Sequence, residues 1–232
     1  MTRILWYVLV IMLALIAVGA QLDRQTRRDP NLASLVPAPF RSFAQEHIVR
    51  ASLQAHKKEG ALREAITLVR RRPVPAENLF LLAGAQFAAG HGEEAGQALD
   101  LSASRGWRAS QVQRIMIAVA LKNGMVEAAS ARLLALWSIG TDKKHLAPFT
   151  QQVLQADGGP EAFGKMVAQS RFAGNTILRE SLQMSTAQQY ARMIHAANVA
   201  GAQFDCSVVK NQARYLTENG FLVEAALVKG SC

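Results

Sequence analysis

The chain has only two cysteines, three tyrosines and three tryptophans in 232 residues, and its five histidines show neither an H-x-x-x-H spacing nor a cysteine at metal-ligand distance. Neither dense disulfides nor a structural zinc therefore hold it together, and a chain of this length buries a sufficient core without them. The G-x-x-x-x-G-K-[ST] phosphate loop, the G-x-S-x-G elbow and a G-x-G-x-x-G turn after a strand are all missing. Acidic residues are the scarce charge, 17 against 26 Lys and Arg, giving a formal net charge of +9. Most of them sit beside basic neighbours or at helix starts, as Glu64 does with Arg63 and as Glu93-Glu94 do, where the helix dipole favours them over acid–base work. No catalytic residue, metal ligand or cofactor is expected. The basic balance attracts phospholipid headgroups, acidic glycans or nucleic acid. Nucleic acid is disfavoured, because no recognition module or interleaving of aromatic with basic residues is found.

The most distinct feature present is the uncharged run Ile4–Leu22, preceded by Arg3. Its core, Ile4–Ala20, is at the lower limit of what spans a bilayer, and Trp6 and Tyr7 stand where interfacial aromatics anchor a span. Val18-Gly19-Ala20 also has the small residues of a signal-peptide cleavage site, so residues 1–22 read as an uncleaved signal anchor or, alternatively, as a removed signal peptide. Arg24, Arg27 and Arg28 outnumber Arg3, which taken alone argues for a cytoplasmic body. The short leader, the adjoining Asp23 and Asp29 and the cysteine placement favour the opposite: a single-pass inner-membrane protein with a periplasmic body.

Residues 23–39 contain DPNLASLVPAP and read as a proline-containing extended linker. Residues 40–232 read as one helical domain. Low aromatic content with abundant Ala, Leu and Gln favours helices over strands. Phe40, Phe43, Ala44, Ile48, Ala51 and Ala55 recur at three- and four-residue steps, predicting an amphipathic helix that ends near Lys57-Lys58. Gly60-x-x-x-Glu64-Ala65 returns as Gly90-x-x-x-Glu94-Ala95, as Gly124 with Ala128-Ala129, and as Gly220-x-x-x-Glu224-Ala225, with Asp157-Gly158-Gly159-Pro160 falling between as a diverged copy. Intervals of this size mean stacked helical hairpins, each glycine ending a first helix and each alanine letting the second approach. Ser110-x-x-Gln113 and Ser185-x-x-Gln188 have the capping-box form, and all seven prolines are expected in linkers or first turns.

The stretch Leu82-Ala83-Gly84-Ala85-Gln86-Phe87-Ala88-Ala89-Gly90-His91-Gly92-Glu93-Glu94-Ala95 resembles the core of a tetratricopeptide repeat, and Met116–Ala129 is similar to it. The resemblance covers residues 43–143 and 206–229, and 145–205 in outline. Leu79 or Val112 stands where the family has an early aromatic, and Gln86 or Ala120 where it has a tyrosine. It implies an all-α membrane-anchored bacterial protein, an α-solenoid of about five to six antiparallel helix pairs after the N-terminal segment. Such arrays bind partners along the face of their first helices, which transfers to Glu77, Phe80, Gly84 and Phe87 in one copy and to Gln111, Arg114, Ala118, Leu121 and Lys122 in the next.

Three further groups are candidates. Arg105-Gly106-Trp107-Arg108 has a hot-spot composition in a loop between repeats, where Trp107 alternatively packs as a wedge. Arg70-Arg71-Arg72 is either an anion patch or a cationic helix end. If the last hairpin turns at Gly220, Cys206 and Cys232 reach the same open end and can form a disulfide, the other reading being two unrelated thiols. The expected function is that of a non-catalytic, membrane-tethered scaffold binding a protein or peptide. An accessory protein holding acidic glycan during envelope polysaccharide assembly is the alternative.

Overall fold

The computed structural model describes residues 2–170 and 174–232. Among these residues every regular element is helical, so the fold is all-α. The chain forms two compact units, Met1–Gly106 and Trp107–Cys232, where the sequence suggested one body from residue 40.

In the first unit, α1 (Thr2–Gln25) leads through two 3-10 helices, Pro30–Leu35 and Ala38–Phe40, to α2 (Ala44–Gln54), α3 (Lys58–Arg71), α4 (Ala76–Ala88) and α5 (Gly92–Arg105). The apolar part of α1 is exposed from Ile4 to Val18, and Arg3–Gln25 is long and apolar enough to cross a membrane or serve as a signal sequence. Its C-terminal end is different. Gly19, Asp23 and Thr26 recur on one side and are buried against the segment that follows.

Residues 23–39 are thus folded, which corrects the extended linker. Asp29 caps the first 3-10 helix through Asn31 N (3.0 Å) with Pro30 in its first turn, and Pro37 and Pro39 sit at the start of the second. Proline's fixed φ suits such first turns. Ala33, Val36 and Ala44 close a small core with Leu22, Phe40 and Ile48. The helix read from Phe40 accordingly begins only at Ala44.

The second unit contains α6 (Ser110–Lys122), α7 (Val126–Ser138), α8 (Lys143–Gln155), α9 (Gly159–Ala168), α10 (Gly174–Glu180), a 3-10 turn (Ser181–Met184), α11 (Ala187–Val199), α12 (Cys206–Glu218) and α13 (Leu222–Lys229). Phe163, Ile177, Leu178, Tyr190, Met193 and Ile194 are fully buried in its core with Ile117, Leu133 and Leu136. Helices α9 and α11 cross closely at Gly164, where a Cβ would collide with the backbone of Met193 and Ala197. Tyr190 donates its hydroxyl to Leu178 O at 2.8 Å, and burial pushes the phenol far above its ordinary pKa.

Helices α2/α3, α4/α5, α6/α7, α8/α9 and α12/α13 pack as consecutive pairs across short turns. The left-handed residues His56 (φ 54°), Gly90 (89°), Gly124 (69°) and Gly158 (68°) follow one another at a constant 34-residue interval. At His56, Gly90, Gly124 and Gly220 the same bond closes the preceding helix, Lys57 N to Ser52 O, His91 N to Gln86 O, Met125 N to Ala120 O and Phe221 N to Leu216 O at 2.8–3.0 Å. This corrects the first copy: Gly60 lies inside α3, and His56 occupies the turn. Histidine is among the non-glycine residues that enter this region. Polar pairs built on a buried glutamine keep the same register, since Gln45 meets Glu64 between α2 and α3 and Gln113 meets Arg132 between α6 and α7, two intervals or 68 residues later.

Two helix starts also differ from expectation. Ser110 follows Ala109, an N-cap without a side-chain bond. The capping box at α11 is formed by Thr186 and Gln189, one residue beyond Ser185 and Gln188. The sequence Ser-Thr-Ala-Gln-Gln satisfies the pattern in both registers. Pro148 lies inside α8, past its first turn, and supplies no N–H to that helix.

Candidate functional site

The first-helix residues of the two central copies belong to different units, and each set is a patch on its own unit. Helix α4 buries Ala76, Asn78, Leu79, Leu81, Ala83 and Ala85, turning Glu77, Phe80, Gly84 and Phe87 toward the other side. Glu77 and Gly84 are exposed and Phe80 is half-buried. Phe87 is 76% exposed, a large apolar group left in water.

Helix α6 buries Val112, Gln113, Ile117 and Ala120, and leaves Gln111, Ala118 and Lys122 exposed. Leu121 packs partly against the core. Arg114 is half-buried with its guanidinium 5.9 Å from the Phe149 ring, and its Nε is buried without a hydrogen-bond partner among the described residues. Lys122 lies two turns further, about 12 Å along the axis at 1.5 Å per residue. That separation suits two acidic groups of an extended ligand.

The arginine-flanked tryptophan divides between the units. Arg105 donates to Pro73 O at 3.0 Å and ties the end of α5 to the turn before α4. Trp107 is 48% exposed, with the Arg108 guanidinium 4.5 Å above its ring. The pair is a surface stack in which the arginine covers one face of the indole.

Arg70, Arg71 and Arg72 end α3 and complement its carbonyl end. Arg71 also donates to Arg41 O at 2.7 Å, and Arg72 lies 4.5 Å from the Phe43 ring, which the Arg27 guanidinium approaches to 3.5 Å. The helix-end role and an anion patch are therefore compatible in the same residues.

Cys206 is the first residue of α12 and Cys232 follows α13, and the two are joined as a disulfide with Cα atoms 5.5 Å apart. Asp205 caps α12 through Ser207 N (2.8 Å) and the Ser207 hydroxyl (2.7 Å), and these bonds hold its carboxyl below the usual range. Beyond that staple, α12 and α13 enclose an open groove of about 600 Å³ lined by Lys210, Ala213, Arg214, Leu222, Ala225 and Lys229. Leu222 is 65% and Val223 71% exposed, and Phe221 and Tyr215 are half open to solvent.

Sequence reasoning passed over this groove. Its signal was present in Phe221-Leu222-Val223, three large apolar residues in succession at a helix start, with Lys210 and Arg214 one turn apart on the preceding helix. One helical face cannot bury three consecutive residues. No protein-family model matches the chain, and no curated protein matches it.

Proposed function

We propose that the chain is a non-catalytic, membrane-tethered helical-repeat scaffold of tetratricopeptide type that docks an acidic amphipathic segment of a partner protein. The observation carrying this reading is the groove between α12 and α13. Its apolar floor of Ala213, Leu222 and Ala225 lies among three cations, Lys210, Arg214 and Lys229, a pattern that matches a helix with one apolar and one acidic face. The constant interval of the left-handed turns supports the repeat type, and the interval equals the repeat length of the family that Leu82–Ala95 resembles. Phe87 on α4, and Arg114 with Lys122 on α6, are secondary anchor points. The apolar floor also favours a peptide over an acidic glycan, which needs hydrogen-bonding and charged groups rather than exposed leucine.

In this reading α1 is an uncleaved anchor in the inner membrane and the body is periplasmic. Two features support it. Removing residues up to Ala20 would take away Gly19, against which Phe40 packs, and would leave Asp23 near a new chain end. The Cys206–Cys232 pair fits an oxidising compartment.

Photo-crosslinking in cells from position 222 tests the docking. A discrete protein adduct that survives high salt and disappears in Lys210→Glu/Arg214→Glu supports the proposal. Retention on acidic polysaccharide that salt abolishes, with no protein adduct, replaces it with the glycan reading.

A further inference from the structure

We infer that the membrane-proximal end of the first unit is a binding collar for anionic phospholipid headgroups, formed by arginines from three separate stretches of chain. This rests on the reading of α1 as a membrane anchor. The apolar run of α1 ends at Leu22, and Arg24, Arg27 and Arg28 follow, all exposed. At 1.5 Å per residue they lie within about 10 Å of the end of the apolar run, at headgroup depth.

The fold adds arginines that are distant in sequence. Phe43, fixed beside α1 through the bonds of its backbone N–H to Asp23, has the Arg27 guanidinium at 3.5 Å and that of Arg72 at 4.5 Å from one ring, which makes residues 45 positions apart neighbours. Arg71 donates to Arg41 O at 2.7 Å, and Arg41 donates through Nε to Val36 O at 2.8 Å, placing both at the same end. Each of these bonds engages one edge of a guanidinium and leaves other N–H groups available.

The nearby acids are already engaged. Asp23 is buried and accepts from Ser42, Phe43 and Ala44, Asp29 caps Asn31, Glu46 pairs with Arg50, and Glu64 meets Gln45. Among the described residues none of Arg24, Arg27, Arg28, Arg41, Arg71 and Arg72 is paired with a carboxylate. Planar guanidiniums bind phosphate oxygens in pairs, and an anchored chain holds these six where lipid phosphate is the most concentrated anion. The occupants are therefore headgroups of the leaflet facing the body, and the collar fixes the first unit against the membrane surface.

The test uses the full chain in nanodiscs of phosphatidylcholine mixed with phosphatidylglycerol, released into the gas phase for native mass spectrometry of retained lipid. Wild type is expected to retain phosphatidylglycerol over phosphatidylcholine by on the order of fivefold for each arginine engaged. Arg27→Gln/Arg71→Gln/Arg72→Gln brings the ratio toward that of the bulk lipid, while Arg63→Gln/Lys144→Gln, at two exposed cations outside the collar and the α12–α13 groove, leaves it unchanged. Arg24→Gln/Arg28→Gln provides a second variant, because both side chains are exposed and neither makes a tertiary hydrogen bond or ion pair among the described residues. Equal retention of the two lipids by wild type, or a preference that both collar variants keep, overturns the inference. Extraction of the wild-type chain from vesicles by alkaline carbonate instead removes the anchor, and the collar with it, so the two failures are distinguishable.

Discussion

The Asp23 carboxylate near the end of α1 accepts the backbone N–H of Ala44, the first residue of α2, at 2.9 Å, across 21 positions of sequence. The same oxygen accepts from Ser42 (2.9 Å) and Phe43 (3.0 Å), so the N-terminus of α2 is capped by a residue of the preceding helix rather than by its own. These bonds tie the end of the apolar helix to the start of α2.

Asp23→Ala leaves those N–H groups without an acceptor and is expected to destabilise the first unit by about 1–3 kcal/mol. Limited trypsin digestion should cut faster at Arg27, Arg28 and Arg41, with Asp23→Asn intermediate because one acceptor oxygen remains. Unchanged digestion in Asp23→Ala would show that this carboxylate does not hold the two helices together.

The left-handed turn at His56 gives a prediction of opposite sign at equivalent positions. A side chain in this region costs about 1 kcal/mol, which glycine avoids. His56→Gly should therefore raise the melting temperature, while Gly90→Ala and Gly124→Ala, at φ 89° and 69°, should lower it. Thermal unfolding of the three variants checks the register directly. A fall in melting temperature for His56→Gly argues that the imidazole has a structural role outweighing its backbone cost.

The residues that read correctly from sequence are those whose role is local. Gly90, Gly124 and Gly220 mark hairpin turns because glycine is favoured where φ is positive, and the buried Ala95, Ala129 and Ala225 five residues later mark close helix approach. The first copy is harder to place, because Gly60 offers a glycine at nearly the right interval while His56 takes the turn. The segment 23–39 read as extended because prolines signal linkers locally, whereas its folding depends on Asp23 and Phe40, contacts that no local pattern contains. The groove beside Leu222 escaped for a similar reason. Exposure of an apolar run is decided by which elements pack on it in the fold, and no local pattern contains that.

Acid should act on the pair that links α9 to α11. Burial raises the Glu161 carboxyl, but the hydrogen bond to Arg192 Nε (2.7 Å) with the charges of Arg192 and Lys165 prevails and lowers it. A lowered native pKa means that this group stabilises the fold above the ordinary carboxylate value of 4.5 and that the contribution is lost as pH falls below it. Wild type should exceed Glu161→Gln in melting temperature near neutrality, with the difference closing as the solution is acidified below that value. A pH-independent difference would assign the effect of the substitution to packing instead.

The Cys206–Cys232 link joins the two helices that form the proposed docking groove, closing a loop with a sequence separation of 26. In the chain-entropy description such a loop is worth about 3–4 kcal/mol, so Cys206→Ser/Cys232→Ser should open α12 and α13 before the rest of the second unit. Hydrogen exchange would show this as protection lost in residues 206–229 and kept near Tyr190, and adducts from position 222 should weaken in parallel. The link also reports the compartment, because it persists only where thiols are oxidised. Non-reducing peptide mapping from cells should find the two peptides joined, and a C-terminal alkaline phosphatase fusion should be active while a fluorescent-protein fusion is dark. Free thiols at both positions with the reverse fusion pattern would put the body in the cytoplasm. The α12–α13 groove would then have to hold its shape through the apolar contacts of Val209, Ala213, Leu216, Ala225 and Val228 and the packing of α13 against α11.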